Sequence, residues 1–267
     1  MYVFDVNESR VQNMASHRGA HPEDHQQFGP NQTSRLRAVV HDLAWLRSRG
    51  YGDDSALELV GNRYRLKRRQ RNAVARSACS VEERSHRTAR CREASTLTDR
   101  WIIVDGFNVL ISVEGLLGGA YLFIGRDRAY RDVNPVQGTY RLVKETTPAI
   151  EAIGTAMVDL DVEGLTWLLD DDVSNVGRVK DRMEDLAPAQ IGWRVLSRGD
   201  VDDELAQSKQ VVATSDSVVL DHVDSWCSIE RIVHNRMSDD NPHVIDLRVP
   251  VDCPNSGASE SGETPLN

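Results

Sequence analysis

Cysteine is scarce in this 267-residue sequence, and none of the four cysteines forms a CxxC pair. Cysteines scattered in this way are typical of reduced thiols in a cytoplasm, and they argue against a zinc centre. Long apolar runs are also lacking: none approaches the roughly 18 residues of a membrane-spanning helix. The N-terminus is polar and acidic, so we expect no secretory signal, a cytoplasmic location and no membrane partner.

Several motifs of well-known α/β enzymes are missing. The chain has no GxxxxGK(S/T) phosphate loop, no GxGxxG after a strand and no GxSxG elbow. Haloacid-dehalogenase-like phosphatases place a second aspartate two residues after the first, but Phe107 occupies that position after Asp105. These enzyme classes are therefore disfavoured.

Lysine is rare, because it accounts for only 4 of the 32 lysine and arginine residues. Aspartate accounts for 26 of the 41 acidic residues. Such a composition would suit a salt-rich cytoplasm. The charge is unevenly distributed, because residues 35–92 contain 15 Lys and Arg against 6 Asp and Glu, and residues 101–267 contain 14 against 29. A basic segment beside an acidic one predicts a polyanion partner for the basic part.

Composition and periodicity divide the chain into five segments. We predict a disordered tail (1–30), a basic helical domain (31–82), a linker (83–98), an α/β domain (99–248) and a second disordered tail (249–267). Apolar spacing in the basic domain predicts helices near 35–49, 54–60 and 67–79, which resemble a helix-turn-helix in outline.

The last two of these helices are crowded with basic residues that could contact phosphates. The predicted nucleic-acid-binding residues here are Arg63, Arg65, Lys67, Arg68, Arg69, Arg71 and Arg76. The alternative is a solvated basic face, or one that docks on the acidic domain.

The stretch WIIVDGFNVL, residues 101–110, is the clearest strand in the sequence. An apolar run with β-branched and aromatic residues indicates a buried central strand, and it ends at Asp105. Further strands are predicted at 165–169, 193–196 and 211–214, with helices between them, which favours a mainly parallel sheet flanked by helices. Asp105 would then lie at the sheet edge where ligands bind, or would simply cap the next helix.

Other carboxylates recur where the predicted strands end or helices begin. They are found in the segments LLDDD (168–172), VDDELA (201–206) and TSDSVVLD (214–221). In a parallel sheet these ends share one edge, and clustered carboxylates repel one another unless a cation neutralises them. Hard oxygen ligands suit Mg²⁺ or Mn²⁺, which are the predicted cofactors.

The motifs VDGFN, VDDELA and TSDSVVLD resemble those of the PIN-like nuclease superfamily, including its NYN branch, over residues 100–248. More specifically, the chain resembles an uncharacterised, largely archaeal family that joins a small basic helical domain to a PIN-like domain. The resemblance implies a small α/β fold with a mainly parallel sheet, and an acidic cluster that binds divalent metal and cleaves RNA.

The resemblance also implies roles for individual residues. Asp105, Asp203 and Asp216 are the expected catalytic and metal-binding acids, with Asp170 and Asp221 as further metal ligands. Asn108 is expected to position a phosphate or a water. The helix acid of PIN-like proteins has no clear counterpart, and Glu114 and Glu145 are the candidates for it.

The expected function is that of a metal-dependent ribonuclease whose basic helical module presents the RNA. One alternative is a non-catalytic nucleic-acid-binding protein that keeps the fold. Another is an interaction protein whose oppositely charged domains dock on each other. RNA is the expected partner, and homodimerisation is left open.

Overall fold

The structure, a computed structural model, describes residues 16–133, 139–237, 241 and 243–248. It is a mixed α/β fold in which a helical region precedes a parallel sheet flanked by helices, which confirms the predicted fold class. The predicted tail 249–267 and the first fifteen residues of the other predicted tail lie outside the described residues. No helix within the described residues combines the length and apolarity needed to cross a bilayer.

The region that we call the helical unit, residues 24–90, precedes the sheet. Its helices are α1 (Asp24–Phe28), α2 (Pro30–Arg47), α3 (Asp53–Arg63), α4 (Arg68–Ser77) and α5 (Val81–Arg90). Helix α5 occupies much of the segment predicted to be a linker. Ser80 caps it by accepting a hydrogen bond from the Glu83 amide at 3.1 Å, while the Glu83 carboxylate accepts from the Ser80 amide at 2.6 Å. This capping box ends the preceding turn and starts the helix.

Residues 16–30 were predicted to be disordered, and this was wrong. Phe28 in α1 is fully buried, with its ring 5.6 Å from that of Tyr121 and 4.9 Å from that of Phe123. Further upstream, the Arg18 guanidinium pairs with Glu114 at 2.9 Å, and His17 contacts Glu145 at 2.6 Å. One buried aromatic ring and two ionic contacts therefore fix a segment whose polar composition suggested disorder.

The strands and the remaining helices follow in chain order after a short 3-10 turn at Ala94–Thr96. The strands are β1 (Trp101–Asp105), β2 (Leu122–Ile124), β3 (Tyr130–Arg131), β4 (Gly164–Asp170), β5 (Gly192–Arg198), β6 (Val211–Ala213), β7 (Trp226–Cys227) and β8 (Val244–Asp246). The helices are α6 (Gly106–Gly118), α7 (Thr146–Val158), α8 (Val176–Asp185), α9 (Val201–Ala206), α10 (Ser217–His222) and α11 (Ile229–His234).

Strand β1 lies at the centre of the parallel sheet, whose order among the described residues is β5-β4-β1-β6-β7. From β1 the chain moves to β4 and β5 on one side and then returns to β6 and β7 on the other. The direction of winding thus reverses between β1 and β6. In doubly wound sheets ligands bind outside the carboxyl ends of the strands at this switch point, which is where Asp105 ends β1.

A small second sheet, of order β3-β2-β8, connects the parallel sheet to the helical unit. Strands β2 and β3 form an antiparallel hairpin, and β8 pairs in parallel with β2 at the other edge of this sheet. Phe123 and Ile245 of this sheet share one apolar cluster with residues of α1 to α4. The helical unit therefore packs on the α/β region instead of being a separate globule.

Candidate functional site

A cleft of about 400 Å³ lies at the carboxyl edge of the parallel sheet. Residues from both regions of the chain line it. The α/β region contributes β1, α6, α9 and the ends of β4 and β6, and the helical unit contributes α4. The acids that line it are Asp105, Asp132, Asp170, Asp172, Asp202 and Asp216. The convergence expected from the strand ends is therefore observed for Asp105, Asp170 and Asp216.

Asp105 is the most deeply placed of these acids. Its side chain is buried, and its Oδ2 atom accepts a hydrogen bond of 2.7 Å from the Thr214 hydroxyl. Burial and the charges of Asp216, Asp202 and Glu230 raise the pKa of Asp105 to about 7, although the hydrogen bond from Thr214 acts in the opposite direction. Asp105 is the N-cap residue of α6, but its side chain makes no capping hydrogen bond. The capping alternative thus does not account for this carboxylate.

Thr214 links the acids on the two sides of the switch point. Its hydroxyl donates to Asp105 and accepts the backbone amide of Asp216 at 3.0 Å. The Asp216 carboxylate in turn caps α10, because Oδ1 accepts the amide of Val218 at 2.7 Å. One oxygen of Asp216 is therefore used for capping while the residue lines the cleft.

Asp170 ends β4 next to two exposed aspartates. Its Oδ1 atom accepts the Asp172 amide at 2.9 Å. Within the described residues, only Asp170, Asp171 and Asp172 place three potential metal-ligand atoms within 4.8 Å of one another. The carboxylates of Asp105, Asp202 and Asp216 are as a set more widely spaced, an arrangement that suits a hydrated ion that keeps several waters.

The acid that α9 contributes is Asp202, whereas the motif match indicated Asp203. Asp202 lines the cleft, and burial together with the charges of Asp216, Asp170 and Asp203 raises its pKa. Both aspartates are exposed to solvent, but Asp203 does not line the cleft. Because successive residues of a helix point about 100° apart, only one of two adjacent acids can face the sheet edge.

Asp221 also departs from its predicted role as a metal ligand. Its two carboxylate oxygens accept hydrogen bonds from Arg87 of α5 at 2.7 and 2.8 Å. This bidentate pair directs the carboxylate towards the helical unit, and Asp221 does not line the cleft. Its role in the structure is to hold α10 against α5.

Arg87 belongs to a buried ionic network that fixes the loop after β6. It pairs with Asp127 at 2.9 Å, and Asp127 accepts two hydrogen bonds from Arg131 at 2.7 and 2.8 Å. Arg131 then donates through Nε to the Ser215 carbonyl at 2.9 Å. The network thereby positions the segment that carries Thr214 and Asp216.

Gly106 and Asn108 occupy the start of α6, directly after Asp105. A Cβ atom on Gly106 would lie 2.5 Å from the Leu168 carbonyl oxygen, so the close approach of α6 to β4 requires glycine there. Asn108 lines the cleft, and its Oδ1 atom accepts a hydrogen bond from the Ser215 hydroxyl at 2.6 Å. The amide NH₂ of Asn108 is then the group with which this side chain can donate to a ligand.

The predicted basic residues separate into two groups. Arg63, Arg65, Lys67 and Arg68 are exposed, as phosphate contacts require. Arg69 instead pairs with the buried Asp24 at 2.7 Å, and Arg71 donates to the Asn62 side chain at 2.8 Å and to backbone carbonyls. Arg76 lines the acidic cleft. The basic face is thus partly solvated and partly committed to internal contacts.

Glu114 and Glu145, the candidates for the missing helix acid, do not line the cleft. Glu114 is fully buried and accepts hydrogen bonds from Tyr140, from Thr146 at 2.6 Å and from Arg18 at 3.0 Å. Burial raises its pKa despite these partners. Glu145 accepts the backbone amide of Arg18 at 3.1 Å. Both acids anchor the N-terminal segment.

The donor set of the cleft fits a hard divalent cation. Carboxylates from five chain segments line the cleft together with Asn108 and Ser112, so oxygen ligands predominate. Burial is the main cause of the raised pKa values of Asp105 and Asp202, and the neighbouring carboxylates add negative charge that raises them further. Mg²⁺ or Mn²⁺ bound among Asp105, Asp170, Asp202 and Asp216 would compensate this charge.

Sequence reasoning missed Asp132, Asp202, Thr214 and Ser112. The two adjacent aspartates in VDDELA indicated that α9 contributes an acid to the site. A helix of six residues, however, is too short for its apolar pattern to predict which of the two faces the cleft. Thr214 stands in the TSD motif, and its position next to Asp105 follows from the pairing of β1 with β6. Asp132 follows β3 and carries no local pattern that marks it.

The fold and the cleft define an α/β protein with an acidic site at the switch point of a parallel sheet. The chain belongs to the family described as "Domain of unknown function (DUF5616)", whose model matches residues 94–232. The model of "Protein of unknown function (DUF434)" matches residues 35–90. The boundary between the two matches, at residues 90–94, coincides with the end of α5 and therefore with the end of the helical unit.

A relative in Methanocaldococcus jannaschii, named "Uncharacterized protein MJ0935", is 32% identical over 186 residues. The alignment covers 69% of this chain and 88% of that protein. No solved structure matches the chain.

Proposed function

We propose that the chain is a PIN-like ribonuclease that depends on Mg²⁺ or Mn²⁺ and acts in the cytoplasm. The observation that carries the proposal is the convergence of Asp105, Asp170, Asp202 and Asp216 on one cleft at the switch point of the sheet. Four carboxylates from four separate segments have no structural need to face one another, since their mutual repulsion is unfavourable. A bound cation would neutralise the repulsion among the four carboxylates and so account for their convergence.

Each residue has a definite task in this proposal. A bound divalent ion would supply an activated water and would neutralise charge on the scissile phosphate. Asp105 provides the buried anionic ligand, and Thr214 orients it through the 2.7 Å hydrogen bond. Asp202 and Asp216 flank it, while the Asn108 amide can donate to a phosphate oxygen or to the attacking water. The exposed Arg63, Arg65, Lys67 and Arg68 supply sequence-independent attraction for RNA.

The experiment compares Asp105→Asn, Asp202→Asn and Asp203→Asn in the full chain. Cleavage of a fluorescent single-stranded RNA is followed with Mn²⁺, with Mg²⁺ and with EDTA. We expect metal-dependent cleavage by the wild type and a loss of at least about 100-fold for the first two variants, since each removes a metal-ligand charge. Asp203→Asn carries the same chemical change one residue away and should retain activity.

Two outcomes would contradict the proposal. The first is an absence of metal-dependent cleavage by the wild type over a broad set of RNAs. The second is equal activity of the wild type and Asp105→Asn, which would place the reaction outside this cleft. Loss of activity in Asp203→Asn but not in Asp202→Asn would restore the motif-based assignment.

A second candidate is a non-catalytic nucleic-acid-binding protein on the same fold. The observation in its favour is that Glu114, the nearest equivalent of the helix acid, is buried against Arg18, Tyr140 and Thr146 and does not line the cleft. In that case RNA binding would depend on the exposed basic residues, and no RNA would be cleaved with any metal.

A further inference from the structure

Arg76 is unusual among the residues of the cleft, because it comes from the helical unit and carries a positive charge. It lies in the last turn of α4, while Asp105, Asp170, Asp202 and Asp216 come from the region of the parallel sheet. Among the described residues that line the cleft, it is the one with a basic side chain. A guanidinium is therefore placed opposite a group of acids that belong to the other part of the chain.

The hydrogen-bonding capacity of Arg76 is poorly used. Its Nη2 atom lies 3.5 Å from Asp132 Oδ1, which is longer than the 2.7–2.9 Å of a good charge-assisted hydrogen bond. Its Nε atom is buried and has no hydrogen-bond partner among the described residues. A guanidinium offers five donors in a fixed fork, and a buried donor without an acceptor is destabilising. Arg76 is thus in a position to receive oxygen acceptors from a ligand.

The arrangement differs from that of an internal counter-ion. A guanidinium that served to neutralise the metal-binding acids would pair with them directly, but the ion pair of Arg76 is with Asp132. With a side chain 27% exposed, Arg76 remains accessible from the open side of the cleft.

We propose that Arg76 binds a non-bridging oxygen of a phosphodiester in this cleft, so that the helical unit supplies the anion-binding half of the site. The inference rests on the proposed function, because it takes the carboxylates of the α/β region as the cation-binding half. The planar fork suits two phosphate oxygens at once. The Arg76 guanidinium would then bind the RNA phosphate, and a divalent cation held by the carboxylates would neutralise part of its charge.

The test uses the full chain with Arg76→Gln, Arg76→Lys and Arg49→Gln. Arg49 is an exposed arginine of the helical unit that stacks on Trp45 and does not line the cleft. Arg49→Gln therefore removes the same charge as Arg76→Gln, but outside the cleft. The probe is a fluorescein-labelled single-stranded RNA of twelve nucleotides. Its dissociation constant is measured with Mn²⁺ and with EDTA, and the single-turnover cleavage rate is measured with Mn²⁺.

For Arg76→Gln we expect RNA binding in Mn²⁺ to weaken. The cleavage rate should fall by about 100- to 1,000-fold, as for loss of one hydrogen-bond donor to a transition state. Arg76→Lys should recover part of both effects, because the charge remains without the fork. Arg49→Gln should resemble the wild type. Mn²⁺ affinity, measured by titration without RNA, should stay equal or rise in Arg76→Gln, since a positive charge leaves the cleft.

Each other result has a defined meaning. If the wild type cleaves RNA and Arg76→Gln binds and cleaves equally well, the inference is overturned and the proposed function stands. If the wild type binds RNA in a Mn²⁺-dependent way without cleaving it, the proposed function fails, and the binding of Arg76→Gln still decides the inference. Reduced Mn²⁺ affinity together with a lowered melting temperature in Arg76→Gln would make Arg76 a structural residue and overturn the inference. Absence of any Mn²⁺-dependent RNA binding by the wild type would overturn it as well.

Discussion

The carboxyl group of Asp105 is in an environment that opposes its ionisation. Burial is the largest cause, and the charges of Asp216, Asp202 and Glu230 add to it, so the pKa is about 7. An isolated aspartate has a pKa of about 3.9. Without a cation, the folded protein therefore binds a proton at Asp105 more tightly than the unfolded chain does.

This difference predicts that Asp105→Asn stabilises the metal-free protein at high pH. Because the folded-state pKa is raised, the wild type loses stability as the pH rises from about 4 to 7, and the loss is complete above 7. The neutral amide avoids that loss. We expect the free energy of unfolding in EDTA at pH 8 to increase by an amount on the order of 1–4 kcal/mol, and the gain to disappear near pH 4.

Urea denaturation of both proteins at pH 4.5, 6 and 8 measures this dependence. Added Mn²⁺ should reverse the order at pH 8, since the ion stabilises the wild type and not the variant. If the variant is less stable than the wild type at every pH in EDTA, ionisation of Asp105 does not destabilise the folded protein and the prediction is wrong.

Individual site residues were predictable only in part. Asp105, Asn108 and Asp216 could be placed because each stands next to a strand end whose apolar run is unambiguous. Asp202 could not be distinguished from Asp203, since the phase of α9 depends on how Val201 and Leu205 pack. Arg76 looked like one more residue of a basic run, because its entry into the cleft depends on a long-range contact between α4 and the hairpin region.

Among the secondary structure elements, α5, the β2–β3 hairpin and the loop after β6 are held together by buried charges. Asp127 is the centre of this network, between Arg87 and Arg131. Although burial raises the pKa of Asp127, the two guanidinium groups lower it to about 2. The carboxylate is therefore ionised over the whole range in which the protein is expected to be folded.

We expect Asp127→Asn to destabilise the protein by about 3–5 kcal/mol, because it leaves the buried Arg131 guanidinium without its carboxylate partner, whereas Arg87 keeps its pair with Asp221. The wild-type contribution of Asp127 is fully present above the unfolded pKa of about 3.9 and is lost as the pH falls towards 2. Acid unfolding should thus begin at higher pH in the variant. Asp224→Asn, which breaks an exposed pair with Lys209 at 2.9 Å, is the matched control and should leave the acid transition unchanged.

Cleavage by Asp127→Asn should also be reduced, provided that it is measured where the variant is folded. Arg131 donates a hydrogen bond to the Ser215 carbonyl, so a reorientation of the Arg131 side chain would move the neighbouring Thr214 and Asp216. Normal stability of Asp127→Asn would mean that water or a rearranged side chain replaces the carboxylate.

Long apolar runs made the main strands predictable, because β4 is buried on both faces, β1 is buried on one face and partly buried on the other, and both show continuous hydrophobicity. Shorter elements were missed. Helix α1 has five residues and β7 has two, too few to establish a period. The polar sequence of α5 suggested a linker, since it lacks an apolar stripe and is held by Arg87 instead of by hydrophobic packing.

At the scale of the whole molecule, the helical unit and the α/β region share a core. Phe28 packs on Tyr121 and Phe123, and the same apolar cluster includes Leu36, Leu43 and Ile245. Two charged domains with a linker between them were the expectation from composition. Composition could not reveal this shared core, because the small sheet that completes it is assembled from segments far apart in the sequence.

A shared core predicts one cooperative unfolding transition and its sensitivity to Phe28. We expect Phe28→Ala to cost about 3–5 kcal/mol, as for other fully buried aromatic residues. The transition should shift equally when it is followed by far-ultraviolet circular dichroism and by fluorescence of the buried Trp167 and Trp226 of the sheet. Leu59→Ala, at a side chain that is 59% exposed, should have little effect.

If the two signals separate in Phe28→Ala, with the fluorescence transition unmoved, the helical unit unfolds independently and the shared core contributes little to cooperativity. Separate transitions in the wild type would lead to the same conclusion.

The contact between Arg18 and Glu114 determines where the protein can be shortened for expression. A truncation at residue 31, the boundary that composition suggests, would remove the guanidinium that lies 2.9 Å from a fully buried carboxylate. It would also remove Phe28 and open a void next to Phe123. Such a fragment would be recovered as insoluble protein, or as one whose α6 has lost its partner. A fragment that starts at residue 16 keeps both contacts.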